Sequence, residues 1–320
     1  MYLRVDISKS TFDVVLLDGT ARRHKVFANT TAGFEALSCW LDPQPAASFH
    51  VCLEATGRYH LPLATYLHAA QYRVSVMNPA WTKAYGLSRM SRNKTDKTDA
   101  LLLAQYAQSE QPALWHPASP EDQALTALVH RLEDLEDARQ QELNRVEGTT
   151  DAYVRHSLDA HLAYLDLEIH EVQQYLEEHV QTHQDLQRQV DLLTSIPGVG
   201  IKTARKLLAE IQLADFEHPK QVAAYAGLTP QQRTSGSSIR GRARLSKMGN
   251  ASLRKALYFP AISAMRWNPI VKAFCANLQA RGKPKMVIVG AAMRKLLHLI
   301  YGVSKHGIPF SPAGWPQAAA

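Results

Sequence analysis

Cysteine is scarce in this chain, and what is missing narrows the classes of protein that it can be. Only three of the 320 residues are cysteine, Cys39, Cys52 and Cys275, and no CxxC pair or zinc-type Cys/His spacing occurs. This excludes a disulfide-stapled scaffold and a zinc finger, and it predicts a reduced cytoplasm with each thiol buried as a small apolar side chain. The 14 histidines are dispersed without an HExxH motif, so none is assigned to metal.

Long apolar runs are a second scarcity. No segment is expected to reach the length that spans a bilayer, and the N-terminus shows no signal-peptide pattern. Both observations favour a cytoplasmic protein without a membrane partner. Hydrophobic residues still make up 46% of the chain, which is enough for two or three domains with cores of their own.

Acidic residues are scarce at one end only. Residues 193–320 contain 19 Lys/Arg and 3 Asp/Glu, whereas residues 118–192 contain 5 and 17. Residues 1–117 contain 12 and 9, and the whole chain carries a net charge of +7. A final third with so large an excess of positive charge predicts a polyanionic partner. We favour nucleic acid as this partner over the alternative that the charges only keep the protein soluble.

Hydrophobic periodicity predicts three domains, at 1–117, 118–192 and 193–320. In the first, the strand-like segments YLRVDIS, TFDVVLL and HKVFA precede a β-α-β-α pattern, which is an α/β class in the order of the ribonuclease H-like fold. The second has heptad seams, which fit a helical hairpin and an intermolecular coiled coil equally well. The seam residues are Leu125, Leu128, Leu132, Leu135, Leu158, Leu162, Leu165, Ile169, Val172 and Leu176.

The third predicted domain is mostly helical and opens with the turn SIPGVG. A glycine turn that exposes backbone N–H groups at a helix N-terminus can bind an anion, as in helix-hairpin-helix modules. Lys202, Arg205 and Lys206 follow the turn and are predicted to bind phosphate; an ordinary turn between helices is the alternative. A loop rich in Gly, Ser and Arg comes next. Its predicted phosphate-binding cations are Arg233, Arg240, Arg242, Arg244 and Lys247.

Four acidic residues near the N-terminus are candidate metal ligands. Asp6 lies in the first predicted strand, Glu54 ends the fourth, and Asp96 and Asp99 are three apart in NKTDKTDA. Strand 4 is expected beside strand 1, and a helix across the sheet would complete the cluster. Converging carboxylates repel one another unless cations bind among them, and Mg²⁺ prefers oxygen ligands. The pattern favours a two-metal site for phosphodiester chemistry, although each acid alone fits a surface carboxylate.

The arginine-rich loop also contains candidate nucleophiles. An activated serine hydroxyl can attack phosphorus and form a covalent intermediate, whereas water at the metals would give a nuclease. The residues alone do not choose among Ser235, Ser237 and Ser238, and they also fit a flexible loop that touches phosphate. Three functions stay open at this point: a serine-nucleophile recombinase, a junction-resolving endonuclease that uses water, and an architectural nucleic-acid binder.

Several motifs, in one order, resemble those of the DEDD transposases of bacterial insertion sequences, the insertion-sequence 110 family, whose relatives include Piv-type DNA invertases. These motifs are VDISK, LEATGRY, NKTDKTDA, SIPGVGIKTA, AYAGLTP and SGSSIRGRARLSKMGNASLRKALY. The resemblance implies a RuvC-like N-terminal domain whose four acids, Asp6, Glu54, Asp96 and Asp99, bind Mg²⁺. It also implies a coiled coil for assembly and a transposase domain in which Ser235 forms a phosphoserine link to DNA.

The same resemblance implies the partners. They are donor and target DNA, a structured noncoding bridge RNA that pairs with both, and further copies of the chain in a dimer or tetramer. The acids and the serine that act in one reaction are then expected to come from different subunits. The resemblance also implies a cytoplasmic, nucleoid-associated bacterial protein.

Overall fold

The computed structural model describes residues 1–18, 21–42, 44–55, 59–77, 112–235 and 239–312. The chain forms two compact units, Met1–Pro117 and Ala118–Ala320. The predicted α/β class is confirmed in its coarse form, with a sheet in the first unit and mainly helices in the second. A separate domain boundary near residue 192 stays a prediction.

One five-stranded sheet organises the first unit. Its strands are β1 (Tyr2–Ile7), β2 (Thr11–Asp18), β3 (Ala21–Ala28), β4 (His50–Glu54) and β5 (Arg73–Met77). They are ordered β3-β2-β1-β4-β5; β2 is antiparallel to both β1 and β3, whereas β4 is parallel to both β1 and β5. Helices α1 (Thr31–Leu41) and α2 (Leu61–Ala69) supply the crossovers that parallel strands need. Thr30 caps α1 by accepting a hydrogen bond from the Gly33 amide.

Alternation along the strands separates an apolar face from a polar one. Leu3, Val5 and Ile7 of β1 are buried in one cluster with Val51 and Leu53 of β4. Because successive side chains of a strand point to opposite faces, the intervening charged residues of β1 lie on the other side of the sheet. Because the apolar core covers one face of the sheet, catalytic side chains of these strands have to lie on the other face.

A long helical hairpin begins the second unit. Helix α3 (Pro120–Glu147) and helix α4 (Ala152–Thr182) are separated by the predicted break at Gly148. His161 lies 3.0 Å from Glu142, and His179 lies 2.9 Å from the Glu121 carbonyl oxygen, so the two helices run antiparallel. The chain therefore forms the hairpin, one of the two predicted alternatives, while assembly through a coiled coil stays a prediction.

The remaining elements join the hairpin through one apolar core, which includes Val129, Leu193, Leu207 and Leu297. They are α5 (Gln184–Thr194), α6 (Ile201–Glu210), α7 (Pro219–Tyr225), β6 (Pro230–Ser235), β7 (Ile239–Leu245), α8 (Ala251–Ala256), α9 (Tyr258–Trp267), α10 (Pro269–Ala280) and α11 (Lys285–His306).

The apolar pattern of the segment SLRKALYFPAISAM is typical of one helix, but the segment divides into α8 and α9 at Leu257. Pro260 explains the division. Its ring has no N–H to donate and would clash with the Ala256 carbonyl in a continuous helix.

Helix α11 corrects the expectation that no segment is long and apolar enough to span a bilayer. Its 22 residues reach a mean hydropathy of 1.5 over the best window. However, 61% of that window is buried within the protein, and Leu296, Leu297 and Ile300 belong to the core cluster. A buried core helix passes the same test of length and composition, so α11 is weak evidence for a membrane span.

The cysteines also differ in part from expectation. Cys52 and Cys275 are buried, whereas Cys39 is exposed on the solvent side of α1. Burial raises the pKa of the Cys52 thiol to about 12, so this thiol remains protonated at neutral pH.

Candidate catalytic acids and nucleic-acid interface

Asp6 and Glu54 lie on neighbouring strands of the sheet. The parallel register of β1 and β4 pairs Val5 with Leu53, so the next residues along the two strands are Asp6 and Glu54, on the same face. Neighbouring strands are about 4.8 Å apart. The prediction that strand 4 lies beside strand 1 is therefore confirmed, and the catalytic role of the two acids stays a prediction.

Asp96 and Asp99 lie in 78–111, outside the residues that the structure describes. Met77, the last residue of β5, pairs with Glu54 across the β4–β5 ladder. Beyond the segment, the Trp115 amide donates a hydrogen bond to a β5 carbonyl at 2.7 Å. The described residues on either side of 78–111 thus contact or belong to β5, the strand next to Glu54.

Two charged side chains beside Asp6 were missed in the sequence. The antiparallel register places Asp13 of β2 directly opposite Asp6, and Asp13 lies 3.0 Å from His24 Nε2. Arg4 is only 6% exposed, and its guanidinium lies 3.9 Å from the Asp6 carboxylate. Like charges that face each other across a sheet repel, so a cation at this place is favoured. The period-two pattern of TFDVVLL could have identified Asp13.

Two of the predicted phosphate-binding cations of α6 form ion pairs with the hairpin. Lys202 Nζ lies 2.6 Å from Glu136 of α3, and Arg205 Nη2 lies 2.6 Å from Glu177 of α4. The hydrogen bond from Arg205 lowers the pKa of Glu177. Phosphate binding by Lys202 and Arg205 stays a prediction, and it requires phosphate to replace these carboxylates or to share their cations.

Lys206 lies in a buried ionic network. It is 7% exposed, and its ammonium contacts both Glu133 of α3 and Glu210 of α6, the latter at 2.6 Å. A phosphate reaching Lys206 would have to displace packed side chains. In this conformation Lys206 joins α6 to α3, and its predicted contact with nucleic acid stays untested.

Glu210 is the centre of that network. It accepts hydrogen bonds from Asn250 at 2.7 Å and Ser252 at 2.9 Å, and it lies 3.1 Å from His130 Nε2. Burial by itself raises the pKa of Glu210, but the hydrogen bonds from Lys206 and these three partners outweigh it and lower the pKa to about 2. His130, Glu133 and Glu210 have ligand atoms within 4.8 Å of one another. The Lys206 ammonium already supplies the positive charge that a metal ion would bring to these carboxylates. We therefore infer that the network stabilises the fold and does not bind a metal.

The predicted serine loop contains a two-stranded hairpin. Strands β6 and β7 are antiparallel, and Ser235 is the last described residue of β6. The other candidate serines, within 236–238, lie outside the described residues. The loop expectation is corrected because IRGRARL alternates arginine with other residues, a period-two pattern typical of a strand. Phosphate binding by Arg233 in β6 and by Arg240, Arg242 and Arg244 in β7 stays a prediction.

A close backbone contact anchors the base of this hairpin. Gly249 has φ +132°, and a Cβ at this position would lie 2.2 Å from the Tyr225 carbonyl oxygen. The Asn250 amide donates to the same carbonyl at 2.7 Å. Lys247 adopts φ +54°, a left-handed conformation that is uncommon for residues with a side chain. Because Asn250 also binds Glu210, the base of the hairpin is linked to α6.

Known protein families and individual proteins match most of this sequence. Residues 4–154 match a family model described as a transposase, of the DEDD type found in IS110, and residues 190–276 match the transposase IS116/IS110/IS902 family. The chain is 35% identical over 321 residues to the pilin gene-inverting proteins of Moraxella bovis and Moraxella lacunata, covering 97% of each chain. It is 25% identical over 226 residues to the transposase for insertion sequence element IS1111A of Coxiella burnetii, covering 60% of this chain and 59% of that one.

These matches define an enzyme of the transposase and DNA invertase class, which recombines DNA. The chain belongs to the IS110 family of transposases. The family resemblance drawn from the motifs is therefore confirmed.

Proposed function

We propose that this protein cuts and rejoins DNA strands through a Mg²⁺-dependent phosphoserine step, with Asp6, Glu54, Asp96 and Asp99 as metal ligands and Ser235 as the nucleophile. The observation that carries the proposal is the position of Asp6 and Glu54 on adjacent strands and one face of the sheet. The strand order, an antiparallel meander followed by two parallel strands, supports a RuvC-like, ribonuclease H-like fold.

The donor chemistry at this face fits magnesium. Asp6 and Glu54 offer carboxylate oxygens, which hard divalent cations prefer, and Asp13 adds a negative charge on the same face. Two Mg²⁺ ions held there would stabilise the charge on the attacking and leaving oxygens of an in-line displacement at phosphorus. The Arg4 guanidinium lies 3.9 Å from the Asp6 carboxylate and adds a positive charge beside it.

The Ser235 hydroxyl supplies the attacking oxygen. Its Oγ forms a bond to phosphorus while one P–O bond of the phosphodiester breaks. The serine loses its proton in this step, and the released sugar oxygen takes up a proton and leaves as a hydroxyl. The reverse displacement, by a sugar hydroxyl of the new strand, frees the serine and joins the DNA. The arginines of the same β-hairpin neutralise the phosphate while bonds change.

Substitution of the serines tests this step. Denatured reactions of the parent protein with DNA that contains the element ends should contain protein-linked DNA, and Ser235→Ala should abolish the link. Ser237→Ala and Ser238→Ala are matched controls that should keep it. If cleavage instead leaves free 5′-phosphate ends and no linked protein, the enzyme is a junction-resolving endonuclease that uses water.

We further propose that a bridge RNA directs the protein to donor and target DNA at the bacterial nucleoid. The charge pattern supports a polyanionic partner, because residues 218–320 contain 16 Lys/Arg and no Asp or Glu. Protein purified from its host should carry one structured RNA species. Removal of that RNA with ribonuclease should stop strand joining, and adding the RNA back should restore it. Full activity without RNA would exclude the guide.

The proposed enzyme is a dimer or tetramer in which the acids of one subunit act with the serine of another. Mixing Asp6→Asn protein with Ser235→Ala protein tests this arrangement. Each variant alone should be inactive, and the mixture should recover strand transfer because some pairs contain one intact acid set and one intact serine. A mixture that stays inactive after subunit exchange would show that both groups come from one chain.

A further inference from the structure

Helix α9 presents an aromatic and cationic face that is separate from the proposed catalytic groups. Phe259 is 77% exposed and Trp267 is 73% exposed. Arg266, also exposed, follows Phe259 by seven residues, which is two helical turns, so the two share one side of α9. Lys255, exposed at the end of α8, precedes Phe259 by four residues. We propose that this face binds unpaired bases of single-stranded DNA by stacking them on the two rings.

The helix that carries the rings is held from behind. Ala264, five residues after Phe259 and on the other side of α9 from it, is fully buried, and Gly198 approaches it so closely that a Cβ there would lie 2.8 Å from the Ala264 side chain. Asn268, directly after Trp267, is fully buried, and its side-chain oxygen accepts hydrogen bonds from the first turn of α10. These contacts fix the backbone of α9 and of its C-terminal end, which carry the two exposed rings.

The charge around the rings selects a polyanion. Lys255 and Arg266 flank them, and the sequence from 218 to 320 contains no acidic residue. A symmetric contact with a second copy would bring these cations against one another without a carboxylate from this stretch to pair with them. Aromatic rings with neighbouring cations are the combination by which proteins bind single strands, through base stacking and phosphate contacts. A duplex is a poor ligand for such rings, because its base faces are already stacked on each other.

This inference rests on the proposed function, because DNA that has been cut and not yet rejoined exposes unpaired bases near the enzyme. The face would hold such a strand until it is joined. Stacking of one base on one ring accounts for roughly a 5- to 150-fold gain in affinity. Loss of either ring should therefore be measurable in a simple binding assay.

Fluorescence anisotropy of a labelled oligothymidylate with the full-length protein tests the proposal. Phe259→Ala and Trp267→Ala should each weaken binding by roughly 5- to 150-fold, Trp267→Phe should weaken it less, and binding of a duplex of equal length should change little. Tyr175→Ala is the matched control, because Tyr175 is 66% exposed but lies on the acidic hairpin; it should bind as the parent does. A Lys255→Gln/Arg266→Gln variant keeps both rings. It should lower the slope of log affinity against log salt concentration by an amount that corresponds to roughly one to two released counterions.

The outcomes separate the alternatives. Unchanged oligothymidylate affinity in both ring variants, or an equal loss for the duplex, would overturn the stacking site. A loss confined to oligouridylate would overturn the choice of DNA, and a change in oligomeric mass instead of affinity would show that a second copy covers the face. A strand-cleavage assay with the parent protein tests the proposed function independently of the binding assay. Ring-dependent binding without cleavage would defeat the proposed function alone, and cleavage with ring-independent binding would defeat the stacking site alone.

Discussion

Lys202 Nζ lies 2.6 Å from both carboxylate oxygens of Glu136, so a single ammonium joins α6 to α3. Arg205 joins the same helix to α4 through Glu177. The side chains that the motif assigns to DNA phosphate are thus held by acids of the same chain. Carboxylates and phosphates are alternative partners for such cations, so the predicted phosphate contacts of α6 would compete with its ion pairs to the helical hairpin.

Glu136→Gln should strengthen DNA binding several-fold at low salt, because Lys202 loses its competing partner. The Lys202 side chain is 71% exposed, so the free energy of unfolding should change by less than about 1 kcal/mol. Anisotropy titrations over a salt series measure the first effect, and urea unfolding measures the second. Glu171→Gln removes the same charge at an exposed position of α4. An equal gain in that control would mean that net charge, and not this ion pair, limits binding.

Glu210→Gln should lower the free energy of unfolding by about 3 kcal/mol, because it leaves the buried Lys206 ammonium with one carboxylate fewer. Glu133→Gln should cost less, since the Glu133 side chain is 41% exposed. Chemical denaturation measures both. Combining Lys206→Met with Glu210→Leu should recover part of the loss, because an apolar pair leaves no buried charge unpaired. Equal costs for the two single variants would show that the network has no buried centre.

The stability of the protein should fall as the pH drops from about 6.5 to about 4. Burial, assisted by the positive charges of Arg294, Lys295 and Lys220, lowers the pKa of His298 to about 4, whereas histidine in an unfolded chain titrates near 6.5. Within this window the unfolded chain binds more protons, so acid favours unfolding.

His298→Gln should flatten that part of the stability profile, as measured by thermal unfolding at several pH values. His156→Gln, at an exposed position of α4, is the control and should leave the slope unchanged. A parent-like slope in His298→Gln would assign the acid sensitivity to other groups.

Mg²⁺ should raise the unfolding temperature of the parent protein, because a ligand that binds only the folded state stabilises it. Asp6→Asn and Glu54→Gln should each remove most of this shift. Asp18→Asn changes an exposed acid at the end of β2 and should keep it. A shift that persists in both site variants would place the bound ion elsewhere.

Gly249→Ala should lower the stability of the second unit and abolish strand transfer, because the base of the Ser235 hairpin loses its contact with Tyr225. Gly282→Ala is the matched control. Gly282 also has a positive φ, +68°, but a Cβ there meets nothing within 4 Å. Its cost should therefore be the backbone strain alone, about 1 kcal/mol. Similar losses in both variants would mean that the close approach to Tyr225 is unimportant.

Local patterns predicted the first unit well and the partners of α6 poorly. The alternation in YLRVDIS places Asp6 opposite the buried face, because a strand repeats every two residues. Lys202 and Glu136, by contrast, are 66 positions apart, and a lysine at a helix start has the same local sequence whether it contacts phosphate or carboxylate. The hairpin of β6 and β7 was missed because its glycines and serines resemble a loop. The break at Leu257 was missed because Pro260 lies inside an otherwise regular apolar pattern.

The order of charge along the chain also has a consequence for biosynthesis. Four carboxylates bind Lys202, Arg205 and Lys206, and all of them except Glu210 precede these cations and lie on α3 and α4. Because translation proceeds from the N-terminus and segments fold as they emerge, the anionic hairpin is complete before the cationic third leaves the ribosome. Once it has left the ribosome, the nascent polycation therefore has a neutralising surface available on its own polypeptide.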